Sequence, residues 1–318
     1  MNRPEISVII PVYNVEAYAE RCARALFGQT MDNIELIFVD DCSPDRSVDV
    51  IRNVLKEYPH RQRQTMVLRH SHNKGVAAAR TTGMKVMTGE YMAHCDPDDT
   101  PDTEMYAKMY AAAKANDADI VSCRYEESPG DGAAHGTEFT GTGLEALMNG
   151  RYTYGLWDKI IRASIIKYND IYPYAGINYN EDLNVIVRAL CHSMKVVGVE
   201  EALYVHSVGR TGSICSGNYK ALLTNHSVPC MKLLDEFLER YGFRCGDPRY
   251  SSRLTDRIKF WMKNALFTKA DIDMWLSLWP ESRRAVRHID SLSSKERMML
   301  TLMAYSPAIG KRLLMRWK

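Results

Sequence analysis

The chain has 318 residues, 46% of them hydrophobic and 25% charged, and a formal net charge of +2. That length buries a large core with room for two domains or one domain and an appendage, and the composition is ordinary for a globular protein. It excludes a disordered chain, and no apolar run reaches the length needed to cross a bilayer.

The eight cysteines fall at 22, 42, 95, 123, 191, 215, 230 and 245, with no CxxC pair. This argues against a disulfide framework or a zinc site and for a reducing compartment. Met1-Asn2-Arg3-Pro4 leads directly into a strand without a signal-peptide pattern, so a cytoplasmic location is expected.

Ile6-Ser7-Val8-Ile9-Ile10-Pro11-Val12 is a continuous apolar run rich in β-branched residues, which predicts a strand buried on both faces. Val12-Tyr13-Asn14 forms the loop after it. A helix follows with Val15, Tyr18, Cys22 and Leu26 at helical spacing. Ile34–Val39 is the second strand and ends in Asp40-Asp41-Cys42-Ser43; a helix carrying Val48, Ile51 and Leu55 comes next. Met66–Leu68 is the third strand, and His72-Asn73-Lys74-Gly75 leads into an Ala-rich helix reaching Met87.

The fourth strand, Glu90–Cys95, ends abruptly in Asp96-Pro97-Asp98-Asp99. Three carboxylates within four residues repel one another, and a divalent cation with oxygen ligands relieves that repulsion, which suits Mg²⁺ or Mn²⁺. A charged turn ahead of the next helix reads equally well from these residues alone. A calcium EF-hand loop is excluded, because Pro101 stands where its glycine and Ala107 where its glutamate would be.

Four strand–helix alternations build a parallel sheet covered on both faces, with ligands at the carboxyl ends of the strands. Pro11–Asn14, Asp40–Asp41, His72–Lys74 and Asp96–Asp99 therefore converge on one rim. No GxGxxG and no GxxxxGK[ST] occurs, so neither a dinucleotide site nor P-loop chemistry is expected.

Another strand, Ile120–Cys123, precedes a Gly- and Ser-rich excursion over 126–143. Trp157–Arg162 reads as the start of a helix. Glu181-Asp182 opens another, whose Leu183, Ile186, Val187 and Leu190 face the core, although two acids in a first turn are also what the helix dipole favours. Val196–Val199 and Ala202–His206 read as two closing strands, followed by a polar loop with Arg210 and Ser213. From Asn218 onward the pattern is helical, with Tyr219, Leu222, Leu223, His226, Leu233, Phe237 and Tyr241 in register around a break at Pro229.

Taken together these pieces resemble a family 2 glycosyltransferase of the GT-A fold. The resemblance rests on Ile9–Asn14, Val39-Asp40-Asp41-Cys42-Ser43, Asn73–Arg80, Asp96–Asp99, Trp157-Asp158-Lys159, Glu181-Asp182 and Arg210–Ser213 in that order, over about residues 5–215. It implies an α/β domain over 1–217, a mostly parallel sheet with helices on both faces, and a helical C-terminal region over 218–318. It implies an inverting, metal-dependent enzyme that moves a sugar from a UDP-sugar to a glycan or lipid-linked acceptor in cell-surface polysaccharide synthesis.

The resemblance also implies roles. Pro11, Tyr13, Asn14 and Glu16 match the wall against base and ribose, and Asp40 or Asp41 the aspartate that reads the base. Asn73, Lys74 and Arg80 match positions near ribose and phosphates, as do Arg210 and Ser213 in the later loop. Asp96 and Asp98 match the metal pair, with Asp99 extending it toward the sugar, and Asp182 matches the catalytic base with Glu181 beside it. The chain departs from the family pattern at Cys42, Thr81 and Asp158. A nucleotidyltransferase, which would carry a Gly-rich basic loop after the first strand, and a catalytically silent binding module are the rival readings.

Residues 282–318 hold nine basic and two acidic side chains, leaving the rest of the chain mildly acidic. In a helix begun by Ser306-Pro307, Ile309, Leu313, Leu314 and Trp317 share an arc opposite Lys311, Arg312, Arg316 and Lys318. That arrangement suits an anionic membrane surface, or packing on the helical region. Nucleic acid is not expected as a partner, since no stacking aromatics are interleaved with the charge.

Overall fold

The structure, a computed structural model, describes residues 3–130, 132–136, 139–149, 153–209, 218–244, 254–260, 262–263, 272–282, 297–298, 300–302 and 306. The chain divides into two compact units, Met1–Gly217 and Asn218–Lys318.

In the first unit, strand β1 (Ile6–Val12) is buried at all seven positions. Helix α1 (Glu16–Phe27) connects it to β2 (Ile34–Asp40), α2 (Ser47–Leu55) and a 3₁₀ turn (Pro59–Gln64) lead to β3 (Thr65–Arg69), and α3 (Val76–Val86) leads to β4 (Tyr91–His94). These four strands lie parallel in the order β3-β2-β1-β4. Because strand side chains alternate, Val8, Ile10 and Val12 pack with Cys22, Ala23 and Leu26 of α1 on one face. On the other face α3 lies so close that a Cβ at Gly83 would stand 2.5 Å from Ile9 Cγ2. The strand order reverses between β1 and β4, which opens a crevice at their carboxyl ends.

Beyond β4 the sheet is no longer parallel. The chain adds β5 (Thr100–Pro101), α4 (Met105–Asn116), β6 (Ile120–Ser128), α5 (Gly143–Asn149), β7 (Lys159–Arg162), α6 (Ala163–Tyr168), α7 (Glu181–Cys191) and β8 (Val196–Ser207). Strand β7 runs antiparallel between β4 and β6, β6 is parallel to β8, and β5 pairs antiparallel with β8 at the edge. The result is one mixed sheet of eight strands, the GT-A-like arrangement expected, with more antiparallel pairing than the sequence predicts.

Three expectations change here. Trp157–Arg162 is not a helix start: Ile160 and Ile161 are β-branched and fully buried between β4 and β6, and the helix begins only at Ala163. The two closing strands are one, β8, whose register against β6 shifts on either side of Arg124. Strand β6 runs on to Ser128, into what reads as surface excursion, and Tyr125 pairs there with His135.

Asp158 and Lys159, next to one another at the start of β7, are both fully buried. Lys159 Nζ donates to Asp158 Oδ1 at 2.5 Å, to Thr153 Oγ1 at 2.7 Å and to the Gly155 carbonyl at 2.8 Å, while Thr153 donates to Asp158 Oδ2 at 2.6 Å. Lys159 is thus shielded from solvent and paired with its own neighbour.

In the second unit the described elements are helical: α8 (Tyr219–Leu222), a π turn (Leu223–Ser227), α9 (Val228–Arg244) and α10 (Ile272–Ser277). Pro229 does not break the helix; it falls in the first turn of α9, after the π turn has shifted the register. That shift buries Leu234 and Leu238 and leaves Leu233 37% exposed, so the buried face differs from the one periodicity predicts. The tail helix expected over 306–318 lies outside the described residues except at Ser306.

The buried pair yields a stability prediction. Lys159→Met leaves the Asp158 carboxylate buried without its counter-charge and should destabilise the fold by roughly 3–5 kcal/mol. Asp158→Leu combined with Lys159→Met should lose less than Lys159→Met alone. Denaturant melts of the three proteins measure both effects.

Candidate active site

The loops after β1, β2 and β3 are held to one another by short polar contacts. The α1 and α2 starts are capped crosswise: Val15 N donates to Ser47 Oγ and Glu16 N to Asp45 Oδ2, both at 2.9 Å, and Arg46 N donates to Glu16 Oε2 at 2.8 Å. Glu16 is therefore engaged by α2 and is not a bare wall residue. Tyr13 and Asn14 stand exposed on the rim, with Asn14 in a left-handed conformation (φ 53°), while Pro11 is buried within β1.

Asp40 and Asp41 are both buried but are used differently. Asp41 accepts from Lys74 N at 2.8 Å and Gly75 N at 2.7 Å, and pairs with His70 Nδ1 at 2.7 Å. Its carboxylate is the latch that shapes the 70–75 loop. Asp40 accepts from Ser43 N at 2.8 Å and meets the exposed Arg69 at 3.1 Å. Asn73 and Lys74 are exposed on the same rim.

At the end of β4 the three aspartates part company. Asp99 turns away from the cleft: its carboxylate accepts from Tyr204 Oη at 2.9 Å and Ser207 N at 2.7 Å and pairs with His206 Nδ1 at 3.1 Å, all on β8. It does not extend the acidic cluster toward a sugar. Burial raises the Asp99 pKa against the opposing hydrogen bond from His206. Burial also opposes charge on His206, but Asp99 outweighs it and raises the histidine's pKa. The indole of Trp157 lies flat on His206 (centroids 4.8 Å apart, 9°) and on Tyr204 (4.9 Å, 19°), with Tyr125 edge-on at 4.6 Å. Asp96 and Asp98 remain half-buried at the cleft. The Asp98 carbonyl accepts from Arg21 and Ser207 Oγ, both at 2.7 Å, which fixes the turn.

Arg80, on α3, joins the two halves of the site. Its side chain is 4% exposed and donates to Asp96 Oδ1 at 2.8 Å and to Glu181 Oε1 at 3.3 Å. Burial disfavours its charge, and the Asp96, Glu181 and Asp182 carboxylates overcome this and raise its pKa. Asp182, in the first turn of α7, accepts from Leu183 N at 2.7 Å. Burial, then the neighbouring Glu181 charge, pushes its pKa up to about 7, against the opposing pull of Arg80. A carboxylate poised there accepts a proton far more readily than an ordinary aspartate.

The acidic end of β4 fits a divalent cation only in one way. Among the described residues no three His, Cys, Asp or Glu side chains converge on a common point. Asp99 is consumed by β8, so Asp96 and Asp98 are the two oxygen ligands on offer. One or two carboxylates completed by substrate phosphates is the habit of Mg²⁺-type sites, in contrast to an all-protein cage. Arg210 and Ser213 lie outside the described residues.

The structure also brings in residues that motif reasoning passed over. His70 bridges Asp41 and Thr82, donating or accepting at 2.7 and 2.9 Å. Asn178 Oδ1 accepts from Ala77 N at 3.1 Å. Neither has a sequence signal beyond its residue type.

The mixed eight-stranded sheet, with its crevice at the carboxyl ends of β1 and β4, is a GT-A-like fold. Residues 7–160 match the family model described as glycosyl transferase family 2, and together with its glycosyltransferase relatives this marks the chain as a glycosyltransferase. It is 27% identical over 251 residues to the uncharacterized glycosyltransferase EpsJ of Bacillus subtilis, covering 75% of this chain and 71% of that one. It is 29% identical over 219 residues to the poly(ribitol-phosphate) beta-glucosyltransferase of Bacillus spizizenii, covering 68% of this chain and 34% of that one. The crystal structure of S. aureus TarS 1-349 in complex with UDP-GlcNAc superposes with a TM-score of 0.73 at 19% identity, covering 98% of this chain and 90% of that one.

The raised Asp182 pKa predicts a pH-dependent stability. The native carboxyl keeps its proton between about pH 4 and 7, where the unfolded one has released it, so this group's unfavourable contribution grows as pH rises through that window. Asp182→Asn should therefore stabilise the fold by roughly 1–3 kcal/mol at pH 8 and by little at pH 4. Paired denaturant titrations of the two proteins at both pH values test this.

Proposed function

We propose that the protein transfers a sugar from a UDP-sugar to a glycan or lipid-linked acceptor of a cell-surface polysaccharide, with inversion at the anomeric carbon. The observation that carries this reading is Arg80, buried between Asp96 at the end of β4 and Glu181 beside Asp182 on α7. It joins an acidic, phosphate-type site to a carboxylate with the proton affinity of a general base. The UDP-GlcNAc held by the similar TarS structure supports the donor, and the ribitol-phosphate polymer named for the Bacillus spizizenii relative supports the acceptor class.

Of the two aspartates after β2, Asp40 is the one to read the base. Arg69 is exposed and gives up its ion pair with the buried Asp40 readily, whereas Asp41 is committed to three partners. Tyr13 offers its ring to base and ribose, and Asn73 and Lys74 face the donor's ribose and phosphates from the rim. Mn²⁺ or Mg²⁺ would be held by Asp98 and Asp96 together with the donor diphosphate, and when bound it offsets the negative charge left on the departing UDP.

Asp182 takes the proton from the attacking acceptor hydroxyl as the new bond forms on the face opposite the leaving group, which inverts the centre. Glu181 acts through its neighbour by raising the proton affinity of Asp182. No helix among the described residues is long and apolar enough to cross a membrane. Contact with a lipid-linked acceptor at a cytoplasmic membrane face would fall to the basic tail, whose residues beyond Ser306 are outside the described set. The silent-module reading is disfavoured by the Asp182 environment, which binding alone does not need.

Incubation with a panel of nucleotide sugars and Mn²⁺ should release UDP from a UDP-sugar and leave other nucleotide sugars intact. Asp182→Asn should lower kcat by roughly 10²–10⁴ while UDP still binds, and Asp98→Ala should remove the metal dependence of UDP affinity. Wild-type kcat/KM should fall as pH drops below about 7, and Glu181→Gln should move that limb to lower pH. Full activity in Asp182→Asn sinks the base assignment.

A further inference from the structure

A second link ties the donor side to the base side, at a residue with no assigned part in the reaction. Asn178 lies in the segment between α6 and α7, three residues before Glu181. Its Oδ1 accepts from Ala77 N at 3.1 Å, in the first turn of α3. It also fills the space that Gly75 leaves open: a Cβ on Gly75 would stand 2.2 Å from Asn178 Oδ1, and Gly75 adopts φ +87°, a conformation that disfavours side chains. The Gly75 amide is in turn held by Asp41 at 2.7 Å. Asp41, Gly75, Ala77 and Asn178 thus form one continuous set of contacts from the end of β2 to the start of α7.

Helix α3 therefore grips the α7 start twice. Asn178 holds it at the first turn of α3, and Arg80 holds Glu181 one turn further on. With a single attachment, the first turn of α7 could rotate about it; two attachments about a turn apart fix its direction as well as its distance. Asn180, between them, sits in a left-handed conformation (φ 64°) that is uncommon for a non-glycine residue. Its carbonyl accepts the Asn184 amide at 3.3 Å, so the first helical hydrogen bond of α7 begins where the Asn178 anchor ends.

We infer that Asn178 is a positioning residue, which aligns Asp182 with the donor by anchoring the α7 start to the nucleotide-side loop at Gly75–Ala77. This rests on the transferase reading given above. Its contribution lies in the reacting geometry and not in donor affinity, because Asn178 meets the loop at Ala77 N and in the space beside Gly75, whereas the Lys74 and Gly75 amides are held by Asp41. A glycine at 75 and a short amide side chain at 178 are a matched pair, since either a Cβ at 75 or a longer side chain at 178 would force the two segments apart.

The test compares wild type, Asn178→Ala and Asn178→Asp in UDP-sugar turnover, UDP binding by calorimetry and amide hydrogen exchange. Asn178→Ala should lower kcat by roughly ten- to a hundredfold and leave donor KM and UDP affinity within about twofold. Asn178→Asp keeps an acceptor for Ala77 N and should recover most of kcat. In Asn178→Ala the amides of residues 183–185 should exchange roughly tenfold faster, with β1 and β2 unchanged. Wild-type kcat in Asn178→Ala, unaltered exchange at 183–185, or an Asn178→Asp protein no better than the alanine variant would each overturn the inference. A wild type that turns over no UDP-sugar would defeat the functional reading instead, and the exchange comparison would still decide whether Asn178 anchors α7.

Discussion

The buried guanidinium of Arg80 is the constraint around which the site is arranged. A charge with 4% exposure is tolerable only beside opposite charge, and Asp96 and Glu181 supply it from two separate elements. The arrangement is asymmetric, because three carboxylates gather around one cation. Burial, and then the Glu181 charge that Arg80 only partly offsets, raises the proton affinity of Asp182. One side chain thus links Asp96 electrostatically to the Glu181–Asp182 pair.

The sheet divides the labour in a way that follows from its pairing. Its parallel half, β3-β2-β1-β4, brings four loops to one rim because crossover connections return every strand in the same direction. Its antiparallel half contributes few cleft residues but holds the acidic turn from outside. Strand β8 ends beside that turn and accounts for the partners of Asp99, while the Trp157 indole covers the same strand. The third aspartate is therefore a fastening that ties the acidic turn to β8.

The parallel half was readable from the sequence because its strands are long apolar runs and its helices carry a clear period. Strand β7 was not, since Ile160-Ile161 followed by Arg162-Ala163 fits a buried strand and a helix start equally well, and only the neighbours β4 and β6 decide. The acidic turn was recognisable as a site, but three aspartates in series carry no mark of which one a distant strand will bury. The same limit applies to Asp40 and Asp41, adjacent and alike in sequence but separated in use by the loop at 70–75. The face of α9 was misjudged because a π turn adds a residue to the helical count and rotates everything after it. Asn178 had no signal at all: its meaning depends on an absent Cβ a hundred residues away.

The crosswise capping of α1 and α2 has a consequence for how this rim behaves as a unit. Each helix completes its first turn with groups borrowed from the other: Ser47 and Asp45 serve α1, and Glu16 serves α2. Neither helix end can fray alone, because opening one strips the other of its acceptors, so the loops bearing Tyr13–Asn14 and Asp40–Ser43 open and close as a single cooperative patch. Variation at these positions is correspondingly linked. A substitution at Glu16 changes the demands on Asp45 and Ser47, and sequences that drift here must drift in step to keep both helix starts capped.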